Sequence, residues 1–301
     1  MIPKTIFIIN SKRSQSIELK SFISDAMYYL GHHLCEVLYT DYEGHAIEIA
    51  KKYSLEGVDL IFSIGGDGTF NEVINGIILS GKTNTPVCLI PNGTGNDFCR
   101  AQNFCFDKER ILTALKYRTY LFYDVGKVSQ NNKVRYFLNV MDIGFGGLAT
   151  HILDQQRRKG LTGGLSYSIA ILRTFFTFKK PNVSLILDHK EVYSGKMMMV
   201  AIANSSTFGN GLVIFPGAKA NDGKLGLTVL GDVTFWDYLI NLRNLKRGTK
   251  IKHKSMMYSE GKSIHIRINK GYAPIEMDGE VFGDGDCDIE ILPGVIKVLK
   301  Y

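Results

Sequence analysis

The sequence predicts two domains, an α/β domain over residues 1–125 and an antiparallel β-sandwich over residues 126–301. The first prediction rests on short apolar runs that alternate with helical periodicity, a pattern typical of a parallel sheet covered on both faces. The second rests on the later segments, most of which have strand character and are separated by turn clusters such as Asn221-Asp222-Gly223. A chain of 301 residues is long enough for both domains.

The first half alternates strand and helix patterns. Each predicted strand ends in a polar or glycine-rich loop, and ligands bind parallel sheets at the carboxyl ends of the strands, so these loops are expected to converge on one site. The predicted strands are Thr5–Ile9, Leu34–Tyr39, Leu60–Ile64 and Pro86–Ile90, and the predicted helices are Ile17–Leu30, Gly44–Tyr53 and one that opens at Asn71 and Glu72.

Beyond Asp124 the pattern changes to strands. Apolar runs of strand length predict an antiparallel sheet structure, which two helical stretches interrupt. The predicted strands are Tyr136–Met141, Val183–Leu187, Lys196–Ala203, Leu225–Leu230, Ile264–Ile268, Cys287–Ile291 and Val295–Leu299, and the helices are Leu165–Phe178 and Phe235–Lys246.

Composition restricts the class of protein. A hydrophobic content of 45% and a charged content of 22% are typical of a globular protein, and the absence of an eighteen-residue apolar run predicts no transmembrane helix. Five cysteines without a C-x-x-C pair favour a reducing cytoplasm over a disulfide frame or a zinc site. The N-terminus becomes polar by Asn10, too early for a signal peptide. A net charge of +7 suits nucleic acid, an anionic membrane or a phosphorylated substrate.

The chemistry of the chain is expected at residues 59–79, DLIFSIGGDGTFNEVINGIIL. Gly65, Gly66 and Gly68 let the backbone turn and approach a ligand, and the helix that follows supplies free N–H groups and a positive dipole end for a phosphate. Asp67 in this turn would repel phosphate unless a cation such as Mg²⁺ lies between them. The residues alone leave two interpretations open, a metal-bridging carboxylate and an ordinary turn residue.

These glycines form neither a Walker loop, which needs a following lysine, nor a Rossmann fingerprint, which needs a third glycine where Asn71 stands. The GGDGT sequence instead resembles the loop shared by NAD kinases, phosphofructokinases and diacylglycerol-kinase-type lipid kinases. Asn71-Glu72-Val73 and the loop Asn92-Gly93-Thr94-Gly95-Asn96-Asp97 resemble the lipid kinases specifically. From Asn10 to Glu280 the chain is therefore similar to soluble bacterial lipid kinases of the diacylglycerol/sphingosine kinase superfamily.

This resemblance implies an N-terminal domain similar to phosphofructokinase and NAD kinase, a C-terminal sandwich and final strands that return to the first domain. It also implies transfer of the γ-phosphate of ATP to a lipid hydroxyl, with diacylglycerol giving phosphatidic acid as the leading assignment. Nucleotide contacts are implied at Asn10, Lys12, Thr40, Gly65, Gly66, Asp67, Gly68, Thr69, Asn71, Glu72 and Thr94. Near Asn10 the chain departs from the family, which has a proline and a glycine where this chain has Ser-Lys-Arg-Ser.

Two metal sites are implied by the resemblance. Asp67, Asp97 and Asp124 would form an acidic network around Mg²⁺ and its waters, which suits an ion that prefers oxygen ligands. Asp222, with the main-chain oxygens of Lys219 and Lys224, would hold a second, structural metal. The alternatives are separate surface carboxylates in the first case and a plain Asn-Asp-Gly turn in the second.

A general base is implied at Glu280, in the stretch Glu276-Met277-Asp278-Gly279-Glu280 that resembles the family's D-G-E-P element with valine in place of proline. A carboxylate can accept the proton of the acceptor hydroxyl if it lies within hydrogen-bond reach and an apolar site raises its pKa. Asp278 would assist or orient it, and Asp67 completes the catalytic set. The alternative is a hairpin turn with solvated acids, because Asp-Gly is a strong hairpin signal.

The expected partners are a lipid substrate and, at the inner membrane face, an anionic bilayer. Arg157-Arg158-Lys159 and the basic residues of 243–254 suit such a surface, although charge runs are more often solvated faces. Nucleic acid is disfavoured because no aromatic stacking residues are interleaved with these bases. A homodimer stays open, as do two rival functions, an NAD kinase and a non-catalytic nucleotide- or lipid-binding protein. The motifs do not name the lipid.

Overall fold

The computed structural model describes residues 4–161, 164–209 and 211–301. The chain forms two compact units, the first made of the residues up to Val125 together with Leu292–Tyr301 and the second of Gly126–Ile291. Two strands run across these boundaries in sequence, β5 at Tyr120–Gln130 and β18 at Cys287–Leu299. All five cysteines are free thiols. None of the helices in the described ranges is long and apolar enough to cross a bilayer.

The first unit contains a parallel sheet in the order β2-β1-β3-β4, which the end of β18 continues through the pair Val298 and Val87. The strands are buried apolar runs, and Phe7 of β1 stacks on Phe62 of β3 at 4.4 Å between ring centroids. The elements are β1 Thr5–Asn10, α1 Ile17–Leu30, β2 Cys35–Thr40, α2 His45–Leu55, β3 Leu60–Gly65, α3 Asp67–Leu79, β4 Val87–Pro91, α4 Asp97–Ala101 and α5 Lys108–Tyr117.

The second unit contains two large sets of antiparallel strands and a two-stranded sheet formed by β11 and β12. One set has the order β14-β13-β10-β7-β16-β17, and the other pairs β18 with β15, β15 with β8 and β8 with β9, while β6 forms a hairpin with β5. The elements are β6 Lys133–Phe137, β7 Val140–Gly144, α6 Phe145–Arg158, α7 Gly164–Thr177, β8 Asn182–Leu187, β9 Lys190–Lys196, β10 Met199–Ala203, β11 Thr207–Phe208, β12 Leu212–Val213, β13 Leu225–Leu230, α8 Phe235–Arg247, β14 Met256–Gly261, β15 Ser263–Lys270, β16 Pro274–Met277 and β17 Glu280–Asp284.

Side chains from both sheets share one buried core in the second unit. Ile143 of β7 and Ile202 of β10 belong to the same cluster as Leu185 of β8 and Ile266 of β15. A core formed between the inner faces of two sheets is the arrangement of a β-sandwich. The α/β and β-sandwich fold classes are therefore both confirmed.

Several elements differ from the sequence prediction. The helix expected to open at Asn71 begins four residues earlier, at Asp67. The prediction missed this start because Gly-Asp-Gly has low helix propensity and gives no local signal of a helix start. The run predicted as Tyr136–Met141 is divided between β6 and β7, and the two predicted final strands form one strand, β18. Helices α5 and α6 were not predicted.

Candidate active site

The turn between β3 and α3 has no room for a side chain at its first glycine. A Cβ at Gly65 would overlap the side chain of Thr69. Gly66 is the N-cap of α3 and, being glycine, makes no side-chain capping hydrogen bond to the first N–H groups of the helix. Gly66, Asp67 and Gly68 are partly exposed. The turn therefore presents a helix N-terminus of the kind that binds phosphate.

The second glycine loop packs directly against this turn. A Cβ at Gly93 would lie 2.6 Å from the Cα of Gly66, so the two backbones are in contact. The Asn96 side chain closes its own loop, with Oδ1 accepting from the Gly93 N–H at 3.0 Å and Nδ2 donating to the Gly93 carbonyl at 2.9 Å. The N–H of Asn92 donates to the carbonyl of Gly65 at 2.6 Å. The GGDG and NGTGND sequences thus form one continuous surface.

Asp67 joins the two loops through its carboxylate. Its Oδ1 accepts the N–H of Phe98, in the first turn of α4, at 3.2 Å. Its Oδ2 lies 3.0 Å from the place where a Cβ on Gly95 would be, and Oδ2 of Asp97 lies 3.8 Å from the same place. Asp97 is buried and has the guanidinium of Arg100 at 3.6 Å. Two of the three predicted metal carboxylates therefore meet beside Gly95.

Asp124 does not complete a direct three-carboxylate cluster. Its Oδ1 accepts the N–H of Gly294 at 2.7 Å, within the same unit, so this oxygen anchors the returning C-terminal strand. Within residues 4–161, 164–209 and 211–301, no three His, Cys, Asp or Glu side chains converge closely enough to hold a metal. The network of Asp67, Asp97 and Asp124 around Mg²⁺ and its waters, which the resemblance implies, stays a prediction.

Three of the other predicted nucleotide residues support the loops. The Asn10 Nδ2 donates to Thr69 Oγ1 at 3.0 Å, and its Oδ1 accepts the backbone N–H of Lys12 at 3.0 Å. Thr40 Oγ1 accepts the N–H of Ser11 at 3.4 Å. Thr94 is exposed at the tip of its loop, with the guanidinium of Arg13 at 3.5 Å from its hydroxyl.

Asn71 and Glu72 make contacts within the fold. Asn71 is buried, and its Oδ1 accepts from the Asn75 side chain at 3.0 Å. The Glu72 carboxylate accepts the N–H of Ala46 at 3.1 Å and so satisfies a free N–H in the first turn of α2. Their contact with a nucleotide stays a prediction.

The second unit carries the predicted acids in a two-residue hairpin turn between β16 and β17. Asp278 and Gly279 both have positive φ angles, 48° and 92°, as such hairpins require. The Asp278 carboxylate accepts three backbone N–H groups, from Leu138 at 2.7 Å, Asn139 at 2.9 Å and Val140 at 3.2 Å. These bonds suit an orienting role, because they fix the turn to the segment between β6 and β7.

Glu280 follows this turn and is ion-paired. Its Oε2 contacts Nη2 of Arg135 on β6, and both side chains are 24% exposed. The apolar surroundings expected for this carboxylate are thus replaced by a cationic neighbour. Its role as a base stays a prediction.

The apolar carboxyl site lies instead at Glu276 and Asp142, which the sequence analysis did not assign. The two residues face each other across β16 and β7 and are 6% and 1% exposed. Burial raises the pKa of Asp142 to about 6, although hydrogen bonds from Glu276, Gly147 and Gly146 oppose the rise. Burial, and then the charge of Asp142, raise the pKa of Glu276 well above its usual range. A hydrogen bond between two buried carboxyls requires a proton, and the strongly raised pKa of Glu276 favours Glu276 as the residue that holds it.

The buried pair packs against the start of α6, where two glycines leave room for the Asp142 carboxylate. The N–H of Gly147 donates to Asp142 Oδ1 at 3.1 Å, and a Cβ at Gly146 would overlap the Asp142 carboxylate. The Glu276 Oε1 accepts the N–H of Gly279. An acid inside each of two otherwise apolar strand runs, Val140–Gly144 and Pro274–Met277, is the sequence signal that could have identified the pair.

The Asp222 turn has an ordinary local structure. Its Oδ1 accepts the N–H of Lys224 at 3.1 Å, and Gly223 has φ 71°, as in an Asx turn. The second, structural metal at Lys219, Asp222 and Lys224 stays a prediction.

Two family models match most of the chain. Residues 4–128 match the family model of the diacylglycerol kinase catalytic domain, and residues 139–300 match the YegS C-terminal NAD kinase beta sandwich-like domain. The chain belongs to this diacylglycerol kinase/YegS family. The Asp67 and Asp97 loops lie in the first matched region, and the Asp278 turn lies in the second.

Similar proteins carry related names. A curated protein of Staphylococcus haemolyticus named "Putative lipid kinase" is 29% identical over 260 residues, which cover 83% of this chain and 79% of that protein. The crystal structure of a "putative diacylglycerol kinase" from Bacillus anthracis has a TM-score of 0.75 at 23% identity, covering 99% of this chain and 97% of the other. An NAD kinase from Archaeoglobus fulgidus, solved in complex with ATP, has a TM-score of 0.55 at 14% identity, covering 98% and 93%. The similarity to these two solved structures shows a shared fold.

Proposed function

We propose that this protein is an ATP- and Mg²⁺-dependent lipid kinase that phosphorylates the hydroxyl of diacylglycerol and produces phosphatidic acid. The observation that carries the proposal is the N-terminus of α3, uncapped by a side chain, with the Asp67 and Asp97 carboxylates beside it. A helix N-terminus attracts the phosphates of a nucleotide. Carboxylates beside it favour a nucleotide that arrives with a cation.

The donor set fits Mg²⁺. Asp67 and Asp97 direct carboxylate oxygens toward one place, and oxygen ligands are those that Mg²⁺ prefers. These two residues would hold the ion, which when bound would neutralise charge on the transferred phosphate. Oδ1 of Asp67 accepts the Phe98 N–H, and Oδ2 is the oxygen proposed to bind the ion.

Glu280 is the proposed general base. The proton of the lipid hydroxyl passes to its carboxylate, the hydroxyl oxygen forms the new bond to the γ-phosphorus, and ADP leaves with the bridging oxygen. Arg135 holds the carboxylate in place through Oε2. Asp278 fixes the turn that carries Glu280 through its three backbone hydrogen bonds.

Diacylglycerol is proposed as the acceptor on two grounds. The matched N-terminal family model describes a diacylglycerol kinase catalytic domain, and the Bacillus anthracis neighbour bears the same activity in its name. The likeness to an NAD kinase makes NAD the comparison substrate.

The test is phosphate transfer from ATP labelled at the γ-position, with Mg²⁺, to a panel of acceptors in mixed micelles. The panel contains diacylglycerol, monoacylglycerol, phosphatidylglycerol, sphingosine and ceramide, with NAD in parallel. Labelled phosphatidic acid supports the proposal, and another labelled lipid would correct the acceptor only. Label in NADP would replace the proposal, and no label in any acceptor, with ATP still bound, would leave a binding protein.

A further inference from the structure

Helices α7 and α8 expose an unusual amount of apolar surface in the second unit. Phe176 is 78% exposed, Trp236 70% and Ile240 75%. Large exposed apolar patches usually mark a binding surface. We call this surface the α7–α8 face and define it by six exposed side chains, Ile169, Leu172 and Phe176 of α7 and Trp236, Leu239 and Ile240 of α8.

Ring contacts make the face continuous. Phe176 lies 6.4 Å from Phe235, and Phe235 lies 5.9 Å from Trp236, measured between ring centroids. Underneath, Phe175 contacts Phe235 at 5.1 Å and Phe145 of α6 at 4.5 Å. The exposed rings therefore stand on a packed aromatic base.

Positive charge surrounds the apolar residues. Arg173 on α7 and Arg243, Lys246 and Arg247 on α8 are exposed. The segment 243–254 holds six basic residues and no acidic one. The single acid of α8, Asp237, is engaged in a capping box with Thr234. Of the predicted cluster Arg157-Arg158-Lys159, the Arg157 side chain lies outside the described residues.

We propose that the α7–α8 face docks on an anionic lipid bilayer. Trp and Phe favour the interfacial region of a bilayer, aliphatic side chains insert below it, and basic residues contact anionic head groups. A second copy of this chain fits less well, because a two-fold contact would bring the same basic residues against each other. Docking itself does not depend on the proposed function. Only its purpose does, which is to bring the enzyme to a lipid substrate.

Trp236 provides a direct probe, since the chain contains one tryptophan. Its emission is expected to shift to the blue with vesicles of phosphatidylglycerol and phosphatidylcholine. The shift should be absent with phosphatidylcholine alone and should weaken as salt is added. An unshifted emission with anionic vesicles would overturn the proposal. Neither reading requires phosphate transfer, so failure of the kinase assay and failure of docking are distinguishable.

Variants separate the two contributions to docking. Phe176→Ser combined with Ile240→Ser keeps the probe and should weaken vesicle affinity at least tenfold. Replacing Arg243, Lys246 and Arg247 by Gln should weaken it by at least about tenfold, because each basic residue adds to attraction by the surface. Tyr272→Ser, at an exposed aromatic residue outside α7 and α8, is the control and should bind like the wild type. Unchanged vesicle binding in both test variants would contradict the proposal. So would a wild type that is dimeric without vesicles and test variants that are monomeric, because the face would then be a contact between two copies of the chain.

A separate observation concerns the buried carboxyl pair. A continuous set of contacts leads from the start of α6 through Gly147, Asp142 and Glu276 to Gly279, next to Glu280. The charged groups around Glu276 are Asp142 on β7 and Asp278 in its own turn, and Arg135 on β6 faces Glu280. A buried pair of acids is costly unless hydrogen bonds and a shared proton satisfy it.

We infer that the proton shared by Asp142 and Glu276 positions the Gly279 N–H and, with it, the carboxylate of Glu280. Glu276 is a positioning residue, because it acts through the turn and not on the substrate. This inference rests on the proposed role of Glu280 as the base.

The test compares Glu276→Gln with Glu276→Leu. Gln keeps a donor toward Asp142 and an acceptor for Gly279, whereas Leu keeps neither. The Gln variant should retain kcat within about twofold at pH 7 and lose less activity than the wild type at alkaline pH, where deprotonation of Glu276 disrupts the contact. The Leu variant should lose at least tenfold in kcat with the KM for ATP unchanged, because the nucleotide loops lie in the other unit.

Equal kcat in the Leu variant and the wild type, or a Gln variant with the alkaline profile of the wild type, would overturn the inference. Hydrogen exchange of the Gly279 amide is a readout apart from activity. Its protection factor, the intrinsic exchange rate divided by the observed one, should be high in the wild type and the Gln variant and should fall with rising pH in the wild type only. If the Leu variant does not fold, the pH profile of the Gln variant and the exchange of the Gly279 amide still test the inference. A wild type with protected Gly279 but no phosphate transfer would contradict only the proposed function.

Discussion

Replacing Glu276 by Gln should make the protein progressively more stable than the wild type as pH rises. Burial raises the pKa of Glu276 in the folded state well above its ordinary value of 4.5. Its contribution to stability is therefore fully present below pH 4.5 and is lost as pH rises toward the raised pKa of the folded state. Gln does not titrate, so the variant lacks this particular loss.

The magnitude follows from the linkage of one proton to folding. Each pH unit between the unfolded and folded pKa values lowers wild-type stability by about 1.4 kcal/mol. Asp142, whose pKa burial raises to about 6, is mainly ionised between pH 6.5 and 7.5 in the wild type, so titration of Glu276 dominates this interval. The free energy of unfolding of Glu276→Gln should therefore rise relative to that of the wild type over this interval, by at most about 1.4 kcal/mol per pH unit.

The assay is urea denaturation followed by far-UV circular dichroism at several pH values between 5 and 8.5. Glu191→Gln, at an exposed position on β9, is the matched control and should follow the wild type at every pH. A stability difference between Glu276→Gln and the wild type that stays constant from pH 6.5 to 7.5 would refute the assignment of the proton to Glu276.

Three further predictions concern the proposed catalytic groups. Asp67→Asn keeps an oxygen for the Phe98 N–H but removes the negative charge, so it should reduce turnover at least a hundredfold without changing the melting temperature. Asp59→Asn is the control, and equal turnover in the two variants would exclude a metal-binding role for Asp67. Gly93→Ala places a Cβ 2.6 Å from the Gly66 backbone and should raise the Kd for ATP at least tenfold, measured by titration calorimetry; unaltered affinity would show that the loop contact does not shape the site. Glu280→Gln should lose phosphate transfer at least a hundredfold while binding ATP normally, and persistent turnover would exclude Glu280 as the base.

Much of the first unit was predictable because its elements carry strong local patterns. Ile17–Leu30 was predicted with its bounds, since apolar residues recur on one face and the Ser16 side chain caps the first turn. The start of α3 was misplaced, because Gly-Asp-Gly has low helix propensity and only tertiary packing draws it into the helix. The sequence predicts that the loops of Gly66 and Gly93 lie near each other, because both follow strands of one parallel sheet. It does not predict that the two backbones touch, since that distance depends on tertiary packing.

The second unit was less predictable, because its contacts join distant residues. The amides of residues 138–140 that bind Asp278 interrupt what looked like one strand, Tyr136–Met141. The pairing of Asp142 with Glu276 depends on the register of β7 against β16, which alternation within a single strand does not specify. Similarly, the contact of Arg135 with Glu280 joins residues 145 positions apart in the sequence, so no local pattern indicates it.

The most direct test of the proposed function is a time course with diacylglycerol micelles, Mg²⁺ and ATP labelled at the γ-phosphate. We expect labelled phosphatidic acid to accumulate with the wild type and to be nearly absent with Asp67→Asn. Label that remains in ATP with the wild type, or that enters NAD in preference to diacylglycerol, would contradict the proposal that this chain is a diacylglycerol kinase.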